Sequence, residues 1–368
     1  MKVIVVGGGI MGLCTAWAAR RAGLEPVLYE QGPIPNPLAS SCDQHRVIRF
    51  TYGAMDGYAR MVHEAYAAWE RLWGDLGQRH YQETGTLVVA REEDGWVRAS
   101  LASLGAMAVP VQELRPAEIA ERLPFLDLAG VRFALFTPSG GTLFAERILG
   151  DLARWLGEHD VPVHTGTRVE AVDPVRAAIR TTDGGEDAGD ALILTPGPWA
   201  PRLVPALRAR ITPSRQVAVY LEPPAEQLAA WRAAPILLDQ FEAARGGFYA
   251  VPPVGDTHLK IGDHGFSLRG HPDREREATP EDIRATLVLA RTRLADFDRY
   301  RVSEAKTCFY SISAEERFIA EPLERAWVLA GFSGHGFKFG ALMGEAMVEM
   351  LTGARTPKAM TAWAAGRA

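Results

Sequence analysis

The chain has 368 residues, 47% of them hydrophobic and 23% charged, with a formal net charge of -5. That is enough apolar material for a large core, in two domains or in one with a large insertion, and the mild acidity without a long basic run argues against a nucleic-acid binder. Three scattered cysteines, Cys14, Cys42 and Cys308, make neither a disulfide framework nor a metal-ligand spacing, so no metal is expected and a reducing compartment is. The opening MKVIVVGGG breaks a short apolar run with glycines; a signal peptide ends in a small-residue cleavage site and a membrane span needs about 20 apolar residues. The chain is therefore read as soluble and cytoplasmic.

In chain order, the first predicted element is a strand over the β-branched run Val3–Val6, patterned for burial on both faces. Gly7, Gly9 and Gly12 follow as G-x-G-x-x-G. A helix through Ala16, Ala18 and Ala19 runs to a stop at Gly23, and PVLYE is a second strand ending at Glu30. Each glycine has its own physical role. Gly7 makes a tight turn, Gly9 lets a pyrophosphate approach the backbone, and Gly12 lets helix pack closely on strand. The helix N-terminus, with Ile10 and Met11 in its first turn, offers free N–H groups and a positive dipole end to phosphates. Glu30, 18 residues after Gly12, is placed to accept ribose hydroxyls and disfavours a 2′-phosphate, so NADP is not expected. Strand, glycines, helix, second strand and acid in this order predict a dinucleotide site. The motif does not separate FAD from NAD, although its start at residue 7 favours FAD.

Farther on, Glu83–Ala90 is a predicted strand and Ala145–Asp160 an amphipathic helix. VPVHTGTRVEAVDP reads as two short strands, RAAIRTTDGGEDAGD as a polar hairpin, and ALILTPGPWAPRL as a buried strand entering a Gly-Pro-Trp turn. Strand-rich sequence follows in RQVAVYLEPP, GGFYAVPPVG and HLKIGDHGF, then a helix from Pro280 to about Ala295. The alternation predicts a discontinuous α/β (α+β) chain. Residues 1–80, 145–215 and 305–368 form the dinucleotide domain, and 81–144 and 216–304 a sheet-rich substrate domain above it.

The candidate site residues outside the first motif are mostly basic. HRVIRFTYG places Arg46 and Arg49 three apart, on one side of a helical turn. Lys260 and His264 in LKIGDHGF read, from the residues alone, as an edge-strand lysine and a structural histidine. WVLAGFSGHGFKFG runs a buried strand, Trp327 to Ala330, into Gly331, Gly334 and Gly336, with Lys338 at the mouth of a helix beginning near Phe339. This second strand–glycine–helix unit suits backbone N–H groups facing an anion or an electron-rich ring edge. Cys308, in AKTCFYSIS, is by itself as compatible with a small buried hydrophobe as with a reactive thiol.

Together VIVVGGGIMGLCTAW, HRVIRFTYG, LKIGDHGF, KTCFYSIS and AGFSGHGFKFG resemble the monomeric sarcosine oxidase and N-methyltryptophan oxidase family, within the glycine/D-amino-acid oxidase group of flavoproteins. The resemblance spans nearly the whole chain. It implies a Rossmann-like FAD-binding domain under an antiparallel-sheet substrate domain, in a chain acting as a monomer. It also implies oxidation of a secondary amine such as an N-alkyl α-amino acid to an imine, with O2 reduced to H2O2. In such proteins a cysteine at the position of Cys308 carries FAD through a thioether to the flavin 8α-methyl carbon. Arg49 and Lys338 match the pair that binds the substrate carboxylate, Arg46 an arginine close to the flavin, and Lys260 the lysine promoting reaction of reduced flavin with oxygen. His264, Tyr249 and Tyr310 match the substrate cavity. Val169 matches a residue whose backbone meets the adenine, and Gly334, Gly336 and Phe337 match the rest of the cofactor set. Two stretches depart from the family. Cys42 stands at a usual histidine and His45 at a usual hydroxyl residue, while farther on Pro198 replaces a common alanine. Cyclic imino acids, iminodicarboxylic acids and Amadori-type amino acids stay open as substrates, as does a dehydrogenase passing electrons to a carrier.

Overall fold

A computed structural model describes residues 1–91, 95–240 and 247–367. Its first sheet has six strands, in the order Ile319–Leu323, Ala326–Ala330, Ala191–Leu194, Lys2–Val6, Glu25–Tyr29 and Val163–His164. All neighbours are parallel except the edge strand Ile319–Leu323. Alternation along Lys2–Val6 explains why its apolar run is unbroken. Val3 and Val5 pack with Leu13, Trp17 and Met343 of the helices Ile10–Arg21 and Gly340–Leu351. Ile4 and Val6 turn the other way, onto Val169, Ile179 and Leu203. A strand covered on both faces has no position for a polar side chain. The two helices touch at backbone level, since a Cβ on Gly344 would lie 2.3 Å from the carbonyl oxygen of Cys14. Cys14 is thereby a buried packing residue.

The expected polar hairpin is present as Ala178–Thr181 and Glu186–Ala188, joined by Val169–Asp173 into a three-stranded antiparallel sheet. The third sheet has eight strands: Arg301–Ser313, Ile211–Glu222, Leu259–Asp263, Phe248–Val251, Ile236–Gln240, Thr86–Ala90, Phe133–Thr137 and Gln112–Leu114. It is antiparallel apart from the parallel pair Ile236–Gln240 and Thr86–Ala90. The helix Pro280–Arg291 lies against this sheet, closing a core built around Phe125, Trp231 and Phe248. Ile211–Glu222 and Arg301–Ser313 pair along their full length, from Ile211↔Ser313 to Glu222↔Arg301. These two strands run unbroken through the expected junctions at 215/216 and 304/305, and both belong along their length to the one eight-stranded sheet.

Four local expectations change. Arg46 begins a strand, Arg46–Ile48, paired with Gly141–Leu143, and is not on a helical turn. The strand expected from Glu83 begins at Thr86, because Gly85 (φ +72°) turns the chain out of the short strand Tyr81–Glu83. Leu259–Asp263 lies between two neighbours inside the large sheet, so Lys260 is not on an edge strand. Helices expected over 145–160 and 280–295 end at Glu158 and Arg291. Among the described residues no helix is long and apolar enough to cross a membrane.

Candidate functional site

The glycine turn after the first strand opens a cleft lined among others by Gly7, Gly9, Ile10, Met11, Glu30, Arg46, Val169, Tyr310, Gly334, Gly336 and Phe337. Gly7 has φ +106°, and a Cβ there would sit 2.4 Å from the Thr195 carbonyl oxygen. A Cβ on Gly12 would come within 1.8 Å of the Gly7 carbonyl oxygen. Gly12 therefore packs behind the cleft wall, as its motif position requires. The helix begins at Gly9 with no side-chain cap and no acid in its first turn, which leaves a positive terminus facing the cleft. The Ile10 amide donates to Ser41 Oγ at 3.0 Å.

Glu30, 5% exposed, is held by three donors: the Gly8 amide (2.6 Å), the Gly32 amide (2.9 Å) and Asn36 Nδ2 (2.8 Å). A carboxylate offers about four acceptor positions, so it retains capacity for a hydroxyl. The glycine cradle, the helix N-terminus and this fixed acid fit the ADP half of a dinucleotide.

The second glycine turn closes the far end. Gly331 and Gly334 take φ +67° and +80°, and a Cβ on Gly334 would meet the Tyr310 ring at 2.5 Å. Lys338 sits in the short 3-10 turn Phe337–Phe339, 4% exposed. Its Nζ donates to Tyr52 Oη (2.9 Å) and to the His335 carbonyl (3.2 Å). Arg49, partly buried, places its guanidinium 5.0 Å from the centre of the Tyr52 ring and 5.8 Å from that of Trp96, and donates to Thr51 Oγ1 at 3.2 Å. Among the described residues neither cation makes a salt bridge. Burial, then the neighbouring Arg49, pushes the Lys338 ammonium well below the usual lysine range. His264, 5.2 Å from Tyr249 between ring centres, has a buried Nε2 with no partner. Burial first, then the charges of Arg49 and Lys338, take its pKa down to about 3. The imidazole is therefore neutral at physiological pH.

A third group surrounds Lys260, which is 5% exposed. Its Nζ donates to the carboxylate of Asp43, as do Arg46 Nη1 and the Tyr220 hydroxyl; Arg46 Nη2 also reaches the Ser40 carbonyl at 2.7 Å. His45 is fully buried, its Nε2 at 3.2 Å from the His258 carbonyl and its Nδ1 without a partner. Cys308 is the one cysteine that is not buried. Its Sγ lies 3.8 Å from the Ser40 carbonyl, and Tyr310, two residues on and so on the same face of the strand, lines the cleft. Cys42 is 7% exposed and 3.8 Å from Lys306 Nζ; burial outweighs that lysine and raises its thiol to about 11.

Arg49, Lys338 and His264 thus act on one another electrostatically, with Tyr249 against the His264 ring, while Arg46 and Lys260 meet at Asp43. Sequence reasoning missed Asp43, Tyr52 and Tyr220. Tyr52 follows Arg49 by three residues and was within reach of the pattern. Asp43 meets Lys260 across 217 positions, which no local signal reports.

A family model described as FAD dependent oxidoreductase (DAO) matches residues 2–350. The chain is 28% identical over 363 residues to a monomeric sarcosine oxidase of Bacillus sp. (strain B-0618), covering 95% of this chain and 92% of that one. It is 26% identical over 350 residues to an N-methyl-L-tryptophan oxidase of Yersinia pestis (strain Pestoides F), covering 93% and 92%. The crystal structure of an L-proline dehydrogenase from P. horikoshii superposes with a TM-score of 0.83 at 19% identity, covering 100% of this chain and 96% of that one; a likeness at that identity concerns the fold alone.

Proposed function

The chain belongs to the FAD-dependent oxidoreductase family, and within it we propose that it oxidises a secondary, N-alkyl α-amino acid of the sarcosine type to the imine, with O2 reduced to H2O2. The observation that carries this reading is the pair Arg49 and Lys338. Two cations flank Tyr52 beside a glycine-lined cleft, and among the described residues neither makes a salt bridge, Glu316 acting on Arg49 only at longer range. Two cationic donors suit one carboxylate.

Gly7, Gly9, Ile10, Met11, Glu30 and Val169 would hold the ADP half of FAD. Arg46, Gly334, Gly336 and Phe337 would meet its ring, with Cys308 as the covalent tether. When bound, FAD supplies the two-electron redox chemistry and the route to oxygen. The protein supplies placement. Anchoring the carboxylate between Arg49 and Lys338 fixes which C–H bond faces the ring, and orientation of this kind accounts for a large share of enzymatic rate. A bound carboxylate also offsets the cost of burying the Lys338 charge, so substrate and proton are held together at Nζ. The neutral His264 presents its unpartnered Nε2 to the substrate amine, with Tyr249 and Tyr310 as walls. Lys260 and Arg46 place positive charge where oxygen becomes negative, an electrostatic contribution of the oxyanion-hole kind.

A panel of amines with peroxide readout tests this. N-Methylated α-amino acids should yield peroxide and their methyl esters should not. Equal turnover of acid and ester would remove the carboxylate clamp; reduction of a dye acceptor without peroxide would remove oxygen as the acceptor.

A further inference from the structure

The polar run before Arg46 holds a carboxylate that none of these roles uses. Asp43 is 3% exposed, and donors from three segments converge on it: Arg46 from its own, Tyr220 from Ile211–Glu222 and Lys260 from Leu259–Asp263. Tyr220 and Lys260 are direct register partners, so the sheet presents both side chains on one face and Asp43 lies across the pair. Among the described residues Asp43 is the only hydrogen-bond acceptor of the Lys260 ammonium. Arg46 and Lys306 face that ammonium as cations, and Cys308 is the one other group there that favours its charge; as the thioether proposed above, that sulfur carries no charge, and His45 is a buried neutral imidazole. Desolvation and Arg46 drive Lys260 toward losing its proton; an opposite charge in contact drives it back.

We propose that Asp43 is the counter-ion that keeps Lys260 charged at neutral pH and fixes its Nζ beside Arg46, which makes Asp43 a positioning residue acting through Lys260. The consequence for oxygen rests on the function proposed above; the ion pair does not.

The charge arithmetic makes the proposal testable. Lys260, Arg46 and Asp43 together carry one net positive charge. In Asp43→Asn with a deprotonated Lys260 the net charge is again one, now on Arg46 alone. The substitution therefore removes the cation at Lys260 without a large change in total charge, and lowering the pH restores it.

The chain has five lysines, Lys2, Lys260, Lys306, Lys338 and Lys358, so 13C-labelled lysine gives a spectrum in which Lys260→Met assigns the signal directly. In the wild-type holoprotein the Lys260 signal should stay that of an ammonium through pH 7. In Asp43→Asn its titration should fall by about 1–3 pH units, and Asp43→Glu should restore it. Reoxidation of the reduced protein by oxygen should be flat with pH in the wild type. In Asp43→Asn it should be slower at pH 8 by on the order of 100-fold and recover as pH falls. A neutral Lys260 at pH 7 in the wild type overturns the proposal without any variant, and so does an unmoved titration in Asp43→Asn. A titration that moves while reoxidation does not would support the counter-ion and overturn the oxygen role of Lys260.

Discussion

Lys338→Met separates a binding cation from a structural one. Methionine keeps an unbranched apolar stem in the same space, so the change deletes the charge and two hydrogen bonds, at 2.9 Å to Tyr52 Oη and 3.2 Å to the His335 carbonyl. With Lys338 at 4% exposure, losing those bonds costs about 1–3 kcal/mol, and relief from burying a cation without a counter-ion returns a similar amount. Folding stability should therefore stay within about 1 kcal/mol of wild type. Carboxylate binding has no such compensation: truncating one partner of a buried charge pair costs about 2–5 kcal/mol, or roughly 30- to 3000-fold in affinity at 1.4 kcal/mol per tenfold. The assay is titration of a non-reactive carboxylic acid and its primary amide against the holoprotein, with thermal unfolding alongside. Lys338 loses its proton unusually early as pH rises, so acid affinity in the wild type should weaken with rising pH and that dependence should flatten in the variant. An unchanged acid-to-amide ratio with a large loss of stability would refute the clamp and make Lys338 a packing residue.

Gly12→Ala should lose cofactor and at least about 1–3 kcal/mol of stability, because its Cβ would meet the Gly7 carbonyl oxygen at 1.8 Å; Gly74→Ala, with nothing within 4 Å in an exposed helix position, should gain about 0.5–1 kcal/mol. Thermal unfolding and flavin absorbance of both variants measure this. Cys308→Ser should release its yellow colour on acid denaturation, where the wild-type polypeptide retains it; colour lost from both would make the cofactor non-covalent. His45, fully buried, has its pKa taken down to about 3 by burial and then by Lys260. The unfolded chain takes up the proton near pH 6.5, so stability is complete above that pH and falls by up to about 1.4 kcal/mol per pH unit as pH drops toward 3. His45→Thr should flatten that slope in denaturant titrations at pH 4, 5 and 7.

What could be read in advance followed the range of the underlying physics. The first strand, its glycines and Glu30 lie within 30 residues, so spacing along the chain nearly equals geometry. The same holds for Trp327 to Lys338. Arg46 and Arg49 were misjudged because the same spacing means different things in different backbones. In an extended strand, alternation sends odd-numbered separations to opposite faces; Arg46 turns to Asp43 and Arg49 to Tyr52. Lys260 read as an edge residue because a charge is seldom buried unless paired, and its partner lies on a distant loop. Of the residues that complete the site, Tyr220 arrives through long-range sheet pairing and Asp43 on a loop, and periodicity encodes neither.

The most direct trial is to mix the yellow protein, with oxygen excluded, with N-methylglycine and in parallel with its methyl ester. Bleaching of the flavin by the free acid and not by the ester is the expected result. Bleaching by both at equal rates, or a purified chain that carries no flavin at all, would contradict it.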